Sequence, residues 1–281
     1  MSVKPKISQE WIIFTAQKSR PIATHSNHIS QLNLIFYKEG FSYCTRSGER
    51  PAVSEFVVKE PNNWETEIIK EFEINLSLRR NFDRVKAAFV SSFFNVVPNE
   101  YSDESLENLL NFSEAEFENN KLLKSETRFG AQIVYGVSQQ LIDRLNQLYS
   151  TVEYCHSAKL LIDTITVSDR KMVHLNLNHH NLEILVTDGG NIIFYNLFET
   201  PTGEDVLFYS LYAMEQLELD TNSTQVKTYG ELISGIKVFE ILRKYIRNLS
   251  QALKDDAVLR NYSLYKLMKC ELSQVHSKER G

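Results

Sequence analysis

Cysteine is scarce in this chain: 281 residues contain three, Cys44, Cys155 and Cys270, far apart and with no C-x-x-C spacing. An odd, sparse count excludes a disulfide scaffold and fits reduced thiols. Glycine (10) and proline (6) are few, which excludes a collagen-like fibre. No run of about 18 apolar residues occurs, so no spanning helix is expected. Met1-Ser-Val-Lys-Pro-Lys leads into Trp11-Ile-Ile-Phe without a long apolar core or a small-residue cleavage site, and a cytoplasmic location is expected. Basic residues are not in excess either. Lys and Arg total 31 against 36 Asp and Glu, giving a net charge of −5 and a pI near 5.9. No global positive field draws the chain to nucleic acid or an anionic membrane, so neither is expected as a partner.

Hydrophobic residues at 42% and charged residues at 24% are ordinary for a folded protein and exclude wholesale disorder. The length suggests two domains at roughly 100–200 residues each. Two stretches share one grammar. In the first, β-prone runs flank Lys38-Glu39-Gly40, a hairpin signal, and Glu55-Phe-Val-Val-Lys follows the Arg46–Pro51 loop. Ile68, Phe72 and Leu76, spaced four apart, predict a helix over Trp64–Leu78, with Asn62 or Asn63 as its cap. The run Val85–Phe94 closes the unit. In the second, Met172–Leu177 turns at Asn178-His-His-Asn181 and returns as Leu182–Val186. Asp188-Gly-Gly-Asn191 is a further turn before Ile192–Phe198. A helix over Glu204–Leu217, strand Gln225–Tyr229 and helix Ile236–Leu249 follow. Between the units lie strand Phe129–Tyr135, helix Gln139–Tyr149, strand Val152–Cys155 and helix Ala158–Ile165. Residues 99–127 read as a helical or loop excursion around Leu106, Leu109 and Leu110, and Leu253–Leu272 as one or two helices. The class is α/β with mixed sheets and flanking helices.

Strand-strand-strand-helix-strand, used twice, is the layout of the actin-like ATPase (RNase H-like) fold. The chain resembles an uncharacterised bacterial family of unknown function with that fold, distantly similar to PilM and FtsA. The resemblance covers nearly the whole sequence. It rests on Val85–Pro98 with Glu100-Tyr-Ser, Val152-Glu-Tyr-Cys-His-Ser, Asn176–Gln216 and Leu267-Met-Lys-Cys-Glu, Ile193–Phe198 and Glu204–Tyr209 being its most specific parts. It implies an N-terminal lobe over 1–168, with 99–127 as its excursion, and a C-terminal lobe over 169–281. PilM and FtsA use this fold to recruit partner peptides, so a protein partner is implied.

Actin-like ATPases grip phosphates with two Asp-x-Gly-(Ser/Thr/Gly) hairpin turns. Glycine lets backbone N–H groups approach the phosphate, and the aspartate orients metal-bound water. The resemblance sets Asn176-Leu-Asn178-His179 at the second such place, with an amide for the aspartate and a side chain where glycine is expected. At the first place, Leu32–Lys38 has neither aspartate nor glycine before Gly40. Of the Gly-Gly expected on the adenosine side, Thr228-Tyr-Gly230-Glu231 keeps one glycine. The expectation is a degenerate nucleotide site, no cofactor, and a non-catalytic protein-binding or scaffolding module. The alternative is an unconventional nucleotide binder or slow Mg-dependent ATPase, in which Gly230 holds the adenosine side and Asn176, Asn178 and Glu204 or Asp205 hold phosphate and Mg²⁺.

His179-His180, with His174, invites a metal reading, but adjacent strand residues face opposite ways, and a solvated turn is expected. Asp188-Gly-Gly reads as a type I′ turn, and Glu204-Asp205 as helix-start charge. Asn196 is expected either to face the cleft or to be buried and hydrogen-bonded. Phe93-Phe94 and Phe208-Tyr209 are expected in the core rather than as nucleic-acid stacking platforms. The helix carrying Leu207, Phe208, Leu211, Tyr212 and Met214 is expected to be buried on more than one face. Arg243-Lys244-Tyr-Ile-Arg247 and Glu114–Glu118 read as solvated. An RNase H-type nuclease needs carboxylates where the strands carry Asn176, Asn178 and Asn196. Walker A, G-x-S-x-G and H-E-x-x-H motifs are absent.

Overall fold

The computed structural model describes residues 30–46, 52–59, 63–101, 103–110, 119–166, 168–230, 236–252, 261–270 and 272. The Glu114–Glu118 run, Asn62, Glu231 and most of the Arg46–Pro51 loop lie outside them. β1 (Gln31–Tyr37), β2 (Gly40–Arg46), β3 (Ala52–Val57), α1 (Trp64–Ile74) and β4 (Arg84–Phe89) form the first unit. β5 (Phe94–Pro98), a 3₁₀ turn (Asn99–Tyr101), α2 (Leu106–Leu110), β6 (Asn120–Glu126) and β7 (Ala131–Ser138) follow, then α3 (Gln139–Leu148), β8 (Val152–His156) and α4 (Ser157–Ile162). The second unit is β9 (Met172–Asn178), β10 (Asn181–Asp188), β11 (Asn191–Glu199), α5 (Gly203–Gln216), β12 (Gln225–Gly230), α6 (Ile236–Tyr245), β13 (Leu249–Gln251) and α7 (Tyr262–Lys269).

Two five-stranded sheets have the same order, β3-β2-β1-β4-β8 and β11-β10-β9-β12-β13. Their registers match as well. Tyr37 pairs with Gly40 at the first hairpin and Asn178 with Asn181 at the second. Across the parallel neighbour, Phe36 pairs with Phe89 and Leu177 with Gly230. Strands β1 and β9 are buried along almost their whole length, as central strands covered on both faces must be. Ile68 and Phe72 of α1 and Leu141, Ile142 and Leu145 of α3 pack on one face of the first sheet, with Leu32, Leu34 and Phe36. On its other face, Leu160 of α4 and Leu264 and Leu267 of α7 meet Ile35, Ala88 and Cys155. The second sheet packs Val173, Leu175 and Ile184 against Val206, Ala213 and Met214 of α5 and Leu242 of α6. Its opposite face turns toward α4 and α7, so the molecule is a stack of helices, sheet, helices, sheet, helices.

The Asp188–Asn191 turn has Gly189 at φ 55° and Gly190 at φ 87°, the left-handed pair that its sequence predicts. Several boundaries differ from the sequence reading. α1 stops at Ile74, and Leu76 is 75% exposed. Asn75 is the cause: its Oδ1 accepts the Ser77 N–H at 3.0 Å, a local bond that competes with the helix. Asn63 stands at the N-cap without a side-chain bond. The run Val85–Phe94 is divided: β4 ends at Phe89, and β5 belongs to a separate sheet of order β5-β7-β6. Within 99–127, helix forms at Leu106–Leu110 as expected, but Asn120–Glu126 is a strand. Its Lys121 and Lys124, three apart on an edge strand of that small sheet, break the alternation that would mark a strand. α6 ends at Tyr245, where Arg247 donates its N–H to Thr221 and β13 begins. Phe208 and Tyr212 are 59% and 47% exposed, so α5 buries one face and leaves an aromatic pair outside. Phe94 is half-buried, its ring against those of His156 and Tyr195. Arg243, Lys244 and Arg247 are exposed, and no helix among the described residues is long and apolar enough to cross a membrane.

Candidate functional site

The two matching hairpins point toward each other. A two-residue turn sets the β9–β10 register so that Asn176 stands opposite Glu183. All of this lies on the face covered by α7, and Glu183 is fully buried. Asn176 Nδ2 donates to Glu183 Oε2 at 2.5 Å and Asn178 Nδ2 to the same oxygen at 3.0 Å. The Tyr195 hydroxyl, from β11, donates to Oε1 at 2.7 Å. Ser263 on α7 closes the ring, donating to Asn178 Oδ1 at 2.7 Å while its Oγ lies 3.2 Å from Asn176 Nδ2. Burial raises the Glu183 carboxyl above its ordinary value, and the bonds from Tyr195, Asn176 and Asn178 oppose that rise only in part.

Gly230 sits beside this ring at the end of β12, with φ +69°. A Cβ there would lie 2.2 Å from the Leu177 carbonyl oxygen and 2.7 Å from Asn176 Oδ1. Only glycine fits such a position. Asn176 Oδ1 itself is buried and finds no partner among the described residues.

In front of the ring the turns make contact. His179, at φ 51°, packs its ring 4.2 Å from that of Tyr37 and places Nε2 2.8 Å from Glu55 Oε1 of β3. Lys38, at the matching place in the first hairpin, reaches Glu199 of β11 at 3.1 Å. Each turn thus holds the outer strand of the opposite sheet. Beside them a cavity of about 240 Å³ opens between the first sheet and the small sheet, with Tyr37, Lys38, Phe89, Asn181 and Glu199 in its wall.

Residues 19–249 match the family described as protein of unknown function, DUF3822. The chain belongs to the DUF3822 family. Among solved structures, a Bacteroides thetaiotaomicron protein with an actin-like ATPase fold and unknown function is similar, with a TM-score of 0.72 and 20% identity over 86% of this chain and 96% of that one. The PilM–PilN type IV pilus biogenesis complex aligns with a TM-score of 0.54 and 11% identity over 84% and 97%. The cytoplasmic domain of EpsL, an inner membrane component of the Vibrio cholerae type II secretion system, aligns with 0.50 and 11% over 86% and 96%. No curated protein matches. The DUF3822 chain has the actin-like ATPase fold, as its repeated pattern implies.

Of the five candidate residues in the DUF3822 chain, the structure brings Asn176, Asn178 and Gly230 together and leaves Glu204 and Asp205 apart. Asp205 is committed locally: Thr202 Oγ1 accepts its N–H at 3.2 Å, and its Oδ2 accepts the Thr202 N–H at 3.0 Å, a reciprocal cap of α5. Gly203 is tight against Val238 of α6, and Glu204 is exposed at the same start. His174 does not join His179. It is buried on β9 with Nδ1 2.9 Å from the Tyr229 hydroxyl, and burial beside Lys227 lowers its pKa to about 4. No three His, Cys, Asp or Glu groups assemble among the described residues. Asn196 bonds locally, its Oδ1 accepting the Leu197 N–H at 2.9 Å. Sequence reasoning missed Glu183. Its signal was a carboxylate inside the apolar run Leu182–Val186, opposite two asparagines in the register that a two-residue turn imposes.

Proposed function

We propose that this chain is a non-catalytic actin-like protein whose nucleotide-gripping turns have been rebuilt as structure, and that it works as a protein-binding or scaffolding module. The observation that carries this reading is the meeting of the turns. Where the fold would hold phosphate between two hairpins, Lys38 with Glu199 and His179 with Glu55 and Tyr37 fill the approach. Behind them, both amide nitrogens that could face a phosphate are spent on Glu183. Glu183, whose buried carboxyl favours the protonated form, is a poor Mg²⁺ ligand and is not placed with a second acidic group to hold the ion. A neighbouring cavity of about 240 Å³ is smaller than the roughly 300–1,000 Å³ of small-molecule pockets. The residues do not fit ATP and Mg²⁺. Two lobes meeting near residue 168 belong to the same reading, supported by one sheet built from 31–156 and the other from 172–251. The likeness to a PilM–PilN complex favours a protein as partner.

One pair of observations favours the alternative, an unconventional nucleotide binder: Gly230 keeps its left-handed backbone, and the Asn176 carbonyl oxygen beside it has no partner among the described residues. A thermal unfolding scan with and without millimolar Mg-ATP, ADP and GTP decides between them. Ligand at about 100 times its dissociation constant adds ~2.7 kcal/mol, which for a chain of this size is a rise of several degrees at about 2–4 °C per kcal/mol. No shift is expected. A clear shift with any of the three overturns the proposal.

A further inference from the structure

A strand shows alternate residues on each face, but every residue along its edge. A groove of about 660 Å³ is lined by consecutive residues from two strands, Phe94 to Pro98 of β5 and Asn191 to Asn196 of β11. Both are edge strands, β5 of the three-stranded sheet and β11 of the second five-stranded sheet. The groove therefore runs between two open edges, with the Phe94 and Tyr195 rings touching at 5.5 Å across it.

Hydrogen bonds flanking the strands identify the backbone groups that face it. Gly136 donates its N–H to Phe93, and Asn99 donates to Gly130. With the alternation of antiparallel ladders, odd-numbered residues of β5 bond to β7, and Phe94 and Val96 turn N–H and C=O outward. Thr200 donates to His180, so even-numbered residues 196 and 198 bond to β10, and Tyr195 and Leu197 face out. The Leu197 N–H is already taken by Asn196. Phe94, Val96 and Tyr195 thus present the groove's main-chain donors and acceptors. The lining contains no charged residue and includes Ile193, 42% exposed, so a charged occupant would lose its hydration without a counter-charge.

We propose that this groove receives an extended, uncharged segment of a partner protein, about five residues long at ~3.3 Å per residue, as an added β-strand. The proposal deepens the binding-module reading by giving the partner's form. It is separate from the nucleotide question, because the groove and the hairpin ring share only Tyr195.

The test uses the full chain and a blocked peptide with an eight-residue core of alternating valine and threonine and one lysine at each end. Addition of the peptide should slow amide exchange at Phe94, Val96 and Tyr195 at least tenfold, read by NMR. Ile193→Lys should weaken binding at least tenfold, read by fluorescence anisotropy, with an unchanged Tm. The same peptide N-methylated at alternate core residues should not bind. Absence of protection at millimolar peptide overturns the proposal, as does equal binding of the N-methylated peptide. Protection of these amides that grows with protein concentration and needs no peptide also overturns it, assigning the groove to a second copy of the chain. A nucleotide-induced thermal shift would remove the non-catalytic reading and leave this footprint standing; a missing footprint would leave the nucleotide result untouched.

Discussion

The β1–β2 and β9–β10 hairpins occupy the same place in two sheets of identical strand order, and their interiors are opposites. Matching registers set Ile35 against Asn176, Tyr37 against Asn178, Ser42 against Glu183 and Phe89 against Gly230. The first is aromatic: Phe36 lies 5.2 Å from Phe89 and 5.5 Å from Phe41, and Tyr37 makes a long 3.4 Å contact to Ser42. The second buries a carboxylate inside a ring of amides and hydroxyls. One backbone ladder supports both because its hydrogen bonds are main-chain, while α7 supplies different partners to the two sheets: Leu264 and Leu267 to the first, Ser263 to the second.

The sharpest break in that comparison is expected at Gly230. Gly230→Ala should cost about 4 kcal/mol in urea unfolding, because a Cβ meets the Leu177 carbonyl at 2.2 Å on a left-handed backbone. A cost below about 1 kcal/mol would show that β9 and β12 are less tightly joined there. Next comes Glu183→Ala, which leaves the donors of Asn176, Asn178 and Tyr195 without an acceptor and should cost about 3 kcal/mol. The matching Ser42→Ala should stay within about 1 kcal/mol. Equal losses would mean that the ring is no more than packing.

Titration sharpens the contrast. The raised Glu183 pKa means that the folded state holds a proton the unfolded chain gives up near about 4.3. Its contribution is therefore full below that pH and lost as pH rises through the folded value. Glu183→Gln should remove this decline. The histidines run the other way. His156, fully buried with Nδ1 accepting the Ala158 N–H at 3.1 Å, and His174 are both lowered to about 4 by burial. Stability that they contribute above about 6.5 should fall as pH drops from there toward 4, by on the order of 2 kcal/mol each. His174 holds the place of Asn33 in the first unit, and each has a side-chain nitrogen without a partner among the described residues. His174→Asn should thus flatten part of the acid slope while preserving the fold; an unaltered slope between pH 6.5 and 4 would locate the titration elsewhere. The smallest effect belongs to Lys38→Ala. With both side chains of the Lys38–Glu199 pair more than half exposed, the loss should be about 0.5 kcal/mol or less and vanish in high salt.

Much of the fold was legible because its signals are local. The Asp188-Gly-Gly-Asn191 turn, the buried run of β9 and the Ile68 and Phe72 stripe each follow from residues a few positions apart. The missed strands, Asn120–Glu126 and Leu249–Gln251, are edge strands of their sheets, where polar residues such as Lys121, Lys124 and Ser250 erase the alternating pattern. At the site, asparagines and a lone glycine could be seen at the turn positions. Glu204 and Asp205 shared the sequence neighbourhood of the site but were spent on a helix cap.

By itself the sequence determined the order of elements, the repetition of three strands, helix and strand, and the lack of aspartate and glycine in Leu32–Lys38 and Asn176–His179. These depend on periodicity and on backbone preferences of single residues. Only the tertiary structure decided that Glu183 is buried among Asn176, Asn178, Tyr195 and Ser263, that the two turns clasp the opposite sheets, and that β5 and β11 leave a groove between open edges. Ser263 is 80 positions from Glu183, and Lys38 is 161 from Glu199. Contacts across such distances are set by how sheets stack and which faces the helices cover, and no local pattern carries that information.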